Sequence, residues 1–244
     1  TAITTDVSTK KAGKTPFKKE DFLKAVQDDA FIEKMVAKYP KLLANLPSKD
    51  SGVRYRLEGY LFPATYNYGK DTTVKEMIDQ MLAAMDQNLT PYYETLESKN
   101  INVNEVLTLA SLVEKEGATD QDRKDIASVF YNRLNQDMPL QSNIAILYAE
   151  GKLGQKTTLK EDATIDTELD SPYNIYKNTG LMPGPVDNPG VSAIEAAVNP
   201  SKTDYLYFVA NVENGEVFFA KTYEEHNKNV EEHVNSKLTQ ASSN

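Results

Sequence analysis

Ala110-Ser111-Leu112-Val113-Glu114-Lys115-Glu116-Gly117 closes an apolar segment that begins near Val103. On a wheel of about 100° per residue, Val106, Leu107, Leu109, Ala110, Leu112 and Val113 form one broad apolar stripe. Lys115 points away from that stripe, and Glu114 and Glu116 fall on its opposite flanks. One helix therefore cannot aim both carboxylates at the same bond. Gly117 reads as the helix stop, in the left-handed cap conformation. A carboxylate in the last turn lies near the negative end of the helix dipole and beside apolar side chains. Both disfavour ionisation, as a general acid working near neutral pH requires. The same spacing also describes an ordinary amphipathic helix whose Glu residues rim a core.

Composition narrows the classes. With 244 residues, 40% hydrophobic and 26% charged, the chain can bury a real core as one large domain or a domain with an appendage. A net charge of -9 argues against a nucleic-acid partner, because no basic stripe outweighs the acidic background. The absence of Cys excludes disulfides, thiolate catalysis and Cys-ligated metals, and two His, His226 and His233, do not make a His-rich metal site. No metal or organic cofactor is implied. No apolar run is long enough to span a bilayer and none reads as a signal peptide. There are 14 Tyr, 8 Phe and no Trp, so a platform for stacking sugars would be built from Tyr.

Along the chain, Thr1 to Thr15 is polar and aperiodic and reads as a disordered lead or linker. Pro16 to Tyr39 has helical spacing, broken at Gln27-Asp28-Asp29 and ended by Pro40. Arg54 to Tyr66 is aromatic and short of helix signals, and reads as extended structure with a turn. Within it Glu58 stands out as a carboxylate in an aromatic setting, either Arg-paired at the surface or part of a site. Thr72-Thr73 caps a helix carrying Val74, Met77, Ile78, Met81, Leu82 and Met85, and Pro91 starts another to about Lys99.

Thr119-Asp120-Gln121-Asp122 resembles a capping box for a helix that buries Ile126, Val129, Phe130 and Leu134 and forms a hairpin with the preceding one. Met138 to Asn143 is a loop before a short helix, Ile144 to Glu150, stopped by Gly151, and Thr157 to Ala163 reads as a further helical turn. Ser171 to Gly190 is dense in turn residues. Its amides, hydroxyls and rings suit a polar, ring-containing ligand, or else a stiff connector. Ser192 to Val198 is a small helix. Asn214-Gly215 between Tyr205–Val212 and Val217–Ala220 signals a hairpin, and Thr222 with Glu225 caps a last helix. His226 shares a face there with Val230 and Val234, which favours a packed, hydrogen-bonded role over that of a base.

Several segments together resemble the membrane-anchored endolytic murein transglycosylases of the YceG-like family, Gram-positive type. They are Leu57-Glu58-Gly59-Tyr60-Leu61-Phe62-Pro63, Ala110 to Gly117, Ile126 to Leu134, Met138-Pro139-Leu140-Gln141-Ser142, Tyr173-Asn174-Ile175-Tyr176 with Thr179 to Pro185, and Tyr205 to Ala210. The likeness runs from roughly Arg54 to Val234. It implies residues 1–15 as lead, 16–53 as a helical segment ending a truncated LysM-like region, 54–238 as the catalytic domain and 239–244 as a tail. It further implies an extracytoplasmic portion whose membrane anchor lies outside this chain.

The resemblance implies cleavage of the MurNAc–GlcNAc β-1,4 bond of nascent strands to 1,6-anhydro-MurNAc ends, by one Glu acting as acid and then as base. Family position assigns that role to Glu116. Gln141, Ser142, Asn143, Tyr173, Asn174 and Tyr176 are the expected glycan-binding residues, with Glu114 and Glu58 as supporting candidates. Asn143 departs from the family, which often has an acid there. The implied partners are peptidoglycan glycan strands, and also synthases and division proteins. Two other readings compete. One is a non-catalytic peptidoglycan-binding scaffold, and the other a hydrolase that would need a second carboxylate such as Glu58, Asp166 or Asp170. The expected fold is α+β, a mainly helical body with a small antiparallel sheet whose strands gather near Arg54 and Tyr205.

Overall fold

Capping chemistry sets most helix boundaries in the computed structural model, which describes residues 17–155, 165–211 and 214–236. Helix α1 runs Lys19–Ala25. Helix α2, Asp29–Lys38, starts where the Asp28 carboxylate accepts from Phe31 N at 3.1 Å, at the break the sequence predicts. Helix α3, Val74–Leu89, opens with a reciprocal Thr73–Glu76 capping box. A 3-10 turn over Thr90–Tyr92, carrying Pro91, leads into α4, Tyr93–Lys99.

Helix α5 spans Val103–Glu116 and α6 spans Asp120–Leu134. Each begins with a capping box, Asn102 with Glu105 and Thr119 with Asp122. Ser142 caps α7, Asn143–Ala149, and α8 is Val191–Val198. Strands β1, Tyr207–Ala210, and β2, Val217–Ala220, pair antiparallel from Tyr207↔Ala220 to Ala210↔Val217. The Thr222–Glu225 box starts α9, Tyr223–Val230, which widens into a π-helical turn over Glu231–Asn235. Each side-chain cap is worth about 1 kcal/mol. The fold is thus α+β, about one small sheet. The expectations for Thr1 to Thr15, for Thr157 to Ala163 and for the tail beyond Leu238 lie outside the described residues.

The centre of the architecture is α5. Val106 through Val113 are all buried, so the helix is enclosed on every side rather than along a stripe. Helix α8 crosses both α5 and α6, which also pack on each other. Its Ala193, Ala196 and Ala197 are fully buried, and their small side chains allow close approach. Two polar members of α5, Ser111 and Asn104, are used for docking. Ser111 Oγ donates to Thr108 O at 2.7 Å and accepts from Val186 N at 3.0 Å, while Asn104 Nδ2 donates to Pro183 O at 3.1 Å. Much of the Ser171 to Gly190 segment is therefore a strap clamped to α5. Buried residues of α1 and α2 belong to the same continuous hydrophobic cluster as α5.

Two local expectations are corrected. Residues near Arg54 form consecutive turns instead of a strand, with Glu58 N donating to Tyr55 O and Tyr60 N to Leu57 O. Here Leu57, Tyr60 and Leu61 enter the core, and among the described residues no neighbouring strand pairs with their backbone. The turn is closed by Asn188, whose Oδ1 accepts from Gly59 N at 2.9 Å and Leu61 N at 3.1 Å. Gly59 is at φ 85°, and a Cβ there would meet Pro185 Cγ at 2.2 Å, so both conformation and space require glycine.

Gly117 is likewise not a left-handed cap. It is extended, at φ -97° and ψ 126°. Glycine fits because a Cβ would lie 2.6 Å from Arg123 Cγ and 3.1 Å from the Arg123 backbone, where α6 folds back on α5.

Asn188→Ala strands two partly buried amides at the Gly59 turn. Chemical denaturation should show a loss of about 1–3 kcal/mol, carried by the midpoint and not by the slope.

Candidate active site

Helix α5 ends where the core opens, and Glu116 is its last residue. The Glu116 Oε1 accepts from Ser142 Oγ at 2.7 Å. Its Oε2 has no protein partner among the described residues. Ser142 is 3% exposed and also caps α7, accepting from Ile144 N at 3.2 Å, so one hydroxyl ties the carboxyl to the start of a helix. The Glu116 residue keeps intermediate exposure because the cleft opens onto it. Enough protein nevertheless surrounds its carboxyl for burial to raise the pKa above the ordinary carboxylate range, and the Ser142 hydrogen bond opposes that rise.

The cleft in front of Glu116 has a volume of about 650 Å³. One side is lined by Leu140, Gln141, Asn143, Ile144, Leu147 and Tyr176, and the other by Phe208, Val209, Ala210, Tyr223 and His226. Lys152 to Gln155 and Arg133 also line it. Glu116 is the one carboxylate among the described lining residues.

Gln141 is held at φ 56°, a left-handed conformation that disfavours a non-glycine residue by about 1–2 kcal/mol. Two contacts over-determine it. Gln141 N donates to Ile175 O at 3.0 Å, and Gln141 Oε1 accepts from Arg133 Nη1 at 3.1 Å. Tyr176 donates a short hydrogen bond to Asn143 Oδ1. Burial, with the Glu116 charge adding to it, raises the Tyr176 pKa and keeps its phenol protonated for that bond.

Helix α6 builds the opposite wall. Ser128 Oγ meets Thr203 Oγ1 at 2.8 Å, and Asn132 Nδ2 donates to Thr203 O at 2.8 Å and Tyr205 O at 2.9 Å. Arg133 Nε donates to Leu206 O at 2.6 Å, and its Nη1 donates to Pro139 O at 2.9 Å and Leu140 O at 3.2 Å. One guanidinium thus joins the loop that carries Gln141 to the segment that enters β1.

Of the expected residues, Glu116, Gln141, Asn143 and Tyr176 meet at the cleft. Ser142 reaches Glu116 and not the cleft surface. Two residues differ from expectation. Asn174 is fully buried, with Nδ2 donating to Thr167 O at 3.0 Å and Leu169 O at 2.8 Å and Oδ1 accepting from Tyr176 N at 3.0 Å. It shapes the turn that presents Tyr176, and every polar atom is spent on backbone. Tyr173 is also buried, its ring 4.9 Å from that of Tyr148, behind α7. A short turn places neighbouring side chains on different sides, so one tyrosine of the pair faces the cleft.

The two supporting candidates lie elsewhere. Glu114 Oε2 accepts from Gly190 N at 3.0 Å, and Oε1 lies 3.7 Å from Arg123 Nη2, fastening the start of α8. Neighbouring Lys115 pairs with Asp187 at 2.6 Å instead of pointing freely into water. Glu58 lines a separate cavity of about 30 Å³ with Leu57, Leu61 and Asn188. Burial raises its pKa, and its Oε2 accepts from Tyr148 Oη at 3.2 Å on the far side of α7. Asp166 and Asp170 are exposed and do not line the cleft.

Sequence reasoning assigned no role to Arg133, Phe208 or Tyr223. Arg133 and Phe208 lay within motifs that carry the resemblance, and Tyr223 sat inside a segment read only as a helix start. His226, expected to pack with hydrogen bonds, stacks on Tyr207 at 5.3 Å and 24°, and its buried Nδ1 has no partner among the described residues.

Known proteins share this arrangement of chain. A protein of Streptococcus pneumoniae serotype 2 (strain D39 / NCTC 7466), named endolytic murein transglycosylase, is 67% identical over 219 residues, covering 90% of this chain. A Bacillus subtilis (strain 168) protein of the same name is 42% identical over 234 residues, covering 96% of this chain. This chain spans 40% of the streptococcal relative's length and 63% of the Bacillus one. A crystal structure of a YceG-like protein from Listeria monocytogenes superposes with a TM-score of 0.77 at 46% identity, covering 87% of this chain and 67% of that one. The YceG-like family model matches residues 4–232, a span holding the whole of α5, the cleft and the hairpin. By sequence and by fold together, the chain belongs to the YceG-like family.

Proposed function

We propose that this chain cleaves peptidoglycan glycan strands as an endolytic lytic transglycosylase, with Glu116 as the single acid–base group. The observation that carries this reading is that Glu116 is the lone carboxylate among the described residues lining the cleft. Hydrolytic glycosidases ordinarily use two carboxylates about 5–10 Å apart, one of them to activate water or attack the sugar. A transglycosylase of this kind needs no water, so one carboxyl suffices. The names of the streptococcal and Bacillus relatives agree with this chemistry.

In this mechanism protonated Glu116 gives its proton to the oxygen linking MurNAc to GlcNAc. The C1–O bond breaks as positive charge develops at C1 of MurNAc. The resulting Glu116 carboxylate then takes the proton of the MurNAc 6-hydroxyl while O6 bonds to C1, which closes the 1,6-anhydro ring and returns the protonated acid. Burial favours the protonated starting state. Ser142 occupies Oε1, which leaves Oε2 as the oxygen that transfers the proton. Gln141 and Asn143 offer hydrogen-bonding groups at the cleft surface, and Tyr176 orients Asn143. Such a chain acts at the extracytoplasmic face of the membrane, beside peptidoglycan synthases and division proteins.

Mass spectrometry of fragments released from purified peptidoglycan tests the reading. Glu116→Gln should abolish anhydro-MurNAc ends, a loss of at least about 10²-fold. Glu114→Gln should retain those ends and lower the melting temperature, since its carboxylate fastens Gly190 and Arg123. Reducing ends would instead indicate hydrolysis, and binding without any release would indicate a scaffold.

The pH profile gives a further check. Turnover should fall as pH rises through the raised pKa of Glu116, because the acid is lost. Ser142→Ala removes a hydrogen bond that favours the carboxylate, so the alkaline limb of kcat should move to higher pH. An unmoved limb would separate Ser142 from the titration of the acid.

A further inference from the structure

The hairpin end of the cleft carries none of the proposed acid–base chemistry, yet it is built as a surface. Among the described large hydrophobic residues Tyr223 is the most exposed, at 64%, and it lines the same cleft as Glu116. Its backbone is fixed at the first position of α9. Thr222 accepts from Glu225 N at 3.2 Å, and the Glu225 carboxylate accepts from Lys221 N at 2.9 Å and Thr222 N at 3.2 Å.

The ring of Tyr223 rests 5.9 Å from that of Tyr207 and 6.4 Å from that of His226. Tyr207 is already engaged, by the His226 imidazole and by the Arg133 guanidinium 5.1 Å from its centroid. Tyr223 is the member of the array whose ring remains open to solvent. Burial and the nearby Arg133 charge hold the His226 pKa down, which favours the neutral imidazole.

Arg133 supplies an independent sign of a ligand. It is 6% exposed and lines the cleft. Its Nε and Nη1 are bound to four protein acceptors, whereas Nη2 has none among the described residues. A guanidinium keeps its charge when buried and offers its donors in a fixed fork. A cationic donor and an exposed aromatic ring, each against Tyr207, thus line the same cleft as the acid.

We propose that the hairpin end of the cleft is a subsite for a further sugar ring of the glycan. Tyr223 stacks on the pyranose face, and Arg133 Nη2 donates to an acyl oxygen of that sugar's substituent. Such a subsite lets the enzyme hold a strand on one side of the scissile bond while Glu116 acts. The inference rests on the glycan-cleaving reading above, and its test separates the two.

Calorimetric titration with glycan oligosaccharides freed of stem peptides, in the Glu116→Gln background, measures binding without turnover. Tyr223→Ala should weaken binding about three- to tenfold, and Tyr223→Phe, which keeps the ring, should bind as the parent does. Arg133→Lys should also weaken binding. Because Arg133 supports the fold, the two Tyr223 variants decide if that variant does not fold. In the active enzyme Tyr223→Ala should raise KM on long strands with kcat unchanged. Equal binding by Tyr223→Ala and its parent, or equal loss in Tyr223→Phe and Tyr223→Ala, would overturn the subsite. Failure of the enzyme with Glu116 intact to release anhydro ends would overturn the reaction, and the binding comparison would still decide the subsite.

Discussion

The complete enclosure of α5 is the constraint on which the structure depends. From Val106 to Val113 the helix has no solvent-facing side, and apart from Thr108 Oγ1, which has no partner among the described residues, its polar side chains take partners within the protein. Ser111 and Asn104 find them in the strap at Pro183 and Val186, and thereby fix a segment with little regular structure. The buried apolar side chains, each worth about 1.5–3 kcal/mol, make the helix a fixed reference for its own C-terminus. Glu116 inherits that rigidity. A carboxyl at the last turn of a buried helix needs no ordering when a substrate arrives.

The second element of order is the use of α6 as a rack. Ser128, Asn132 and Arg133 hold the 203–206 segment with a series of contacts to backbone and side chain, so the hairpin faces α7 across the cleft. Arg133 also holds the loop before α7 and thus spans both walls. The strained backbone of Gln141 belongs to the same construction. A non-glycine residue at positive φ persists only where its surroundings over-determine it, and here they are the Arg133 fork and Ile175 O.

The divergence of Glu114 and Glu116 links sequence to chemistry. On the wheel they flank the apolar stripe, and in the fold one meets Gly190 and Arg123 while the other meets Ser142 and the cleft. The site residues were less evenly legible. Gln141, Asn143 and Tyr176 could be chosen from residue type and motif order. Asn174 and Tyr173 came from the same motif and have the same chemical character, yet they point into the protein. Irregular turns have no period that assigns sides, so motif order did not separate the residues that line the cleft from those that scaffold it. Tyr223 carried no local signal beyond its capping box, because exposure and ring neighbours arise only when α9 packs against the hairpin.

What the sequence by itself determined is most of the helices and where they start. Asp28, Thr73, Asn102, Thr119 and Thr222 start helices through contacts within three residues, and such contacts are written in local order. The tertiary structure alone decided the rest. Residues 56–61 became turns, closed where Asn188, far along the chain, accepts from the Gly59 and Leu61 amides. Gly117 is glycine because Arg123 approaches it, and not because of its φ. Glu58 became a half-buried anchor on Tyr148, away from the cleft. In each case the deciding partner lies on another element, and its distance is set by packing, which no local pattern encodes.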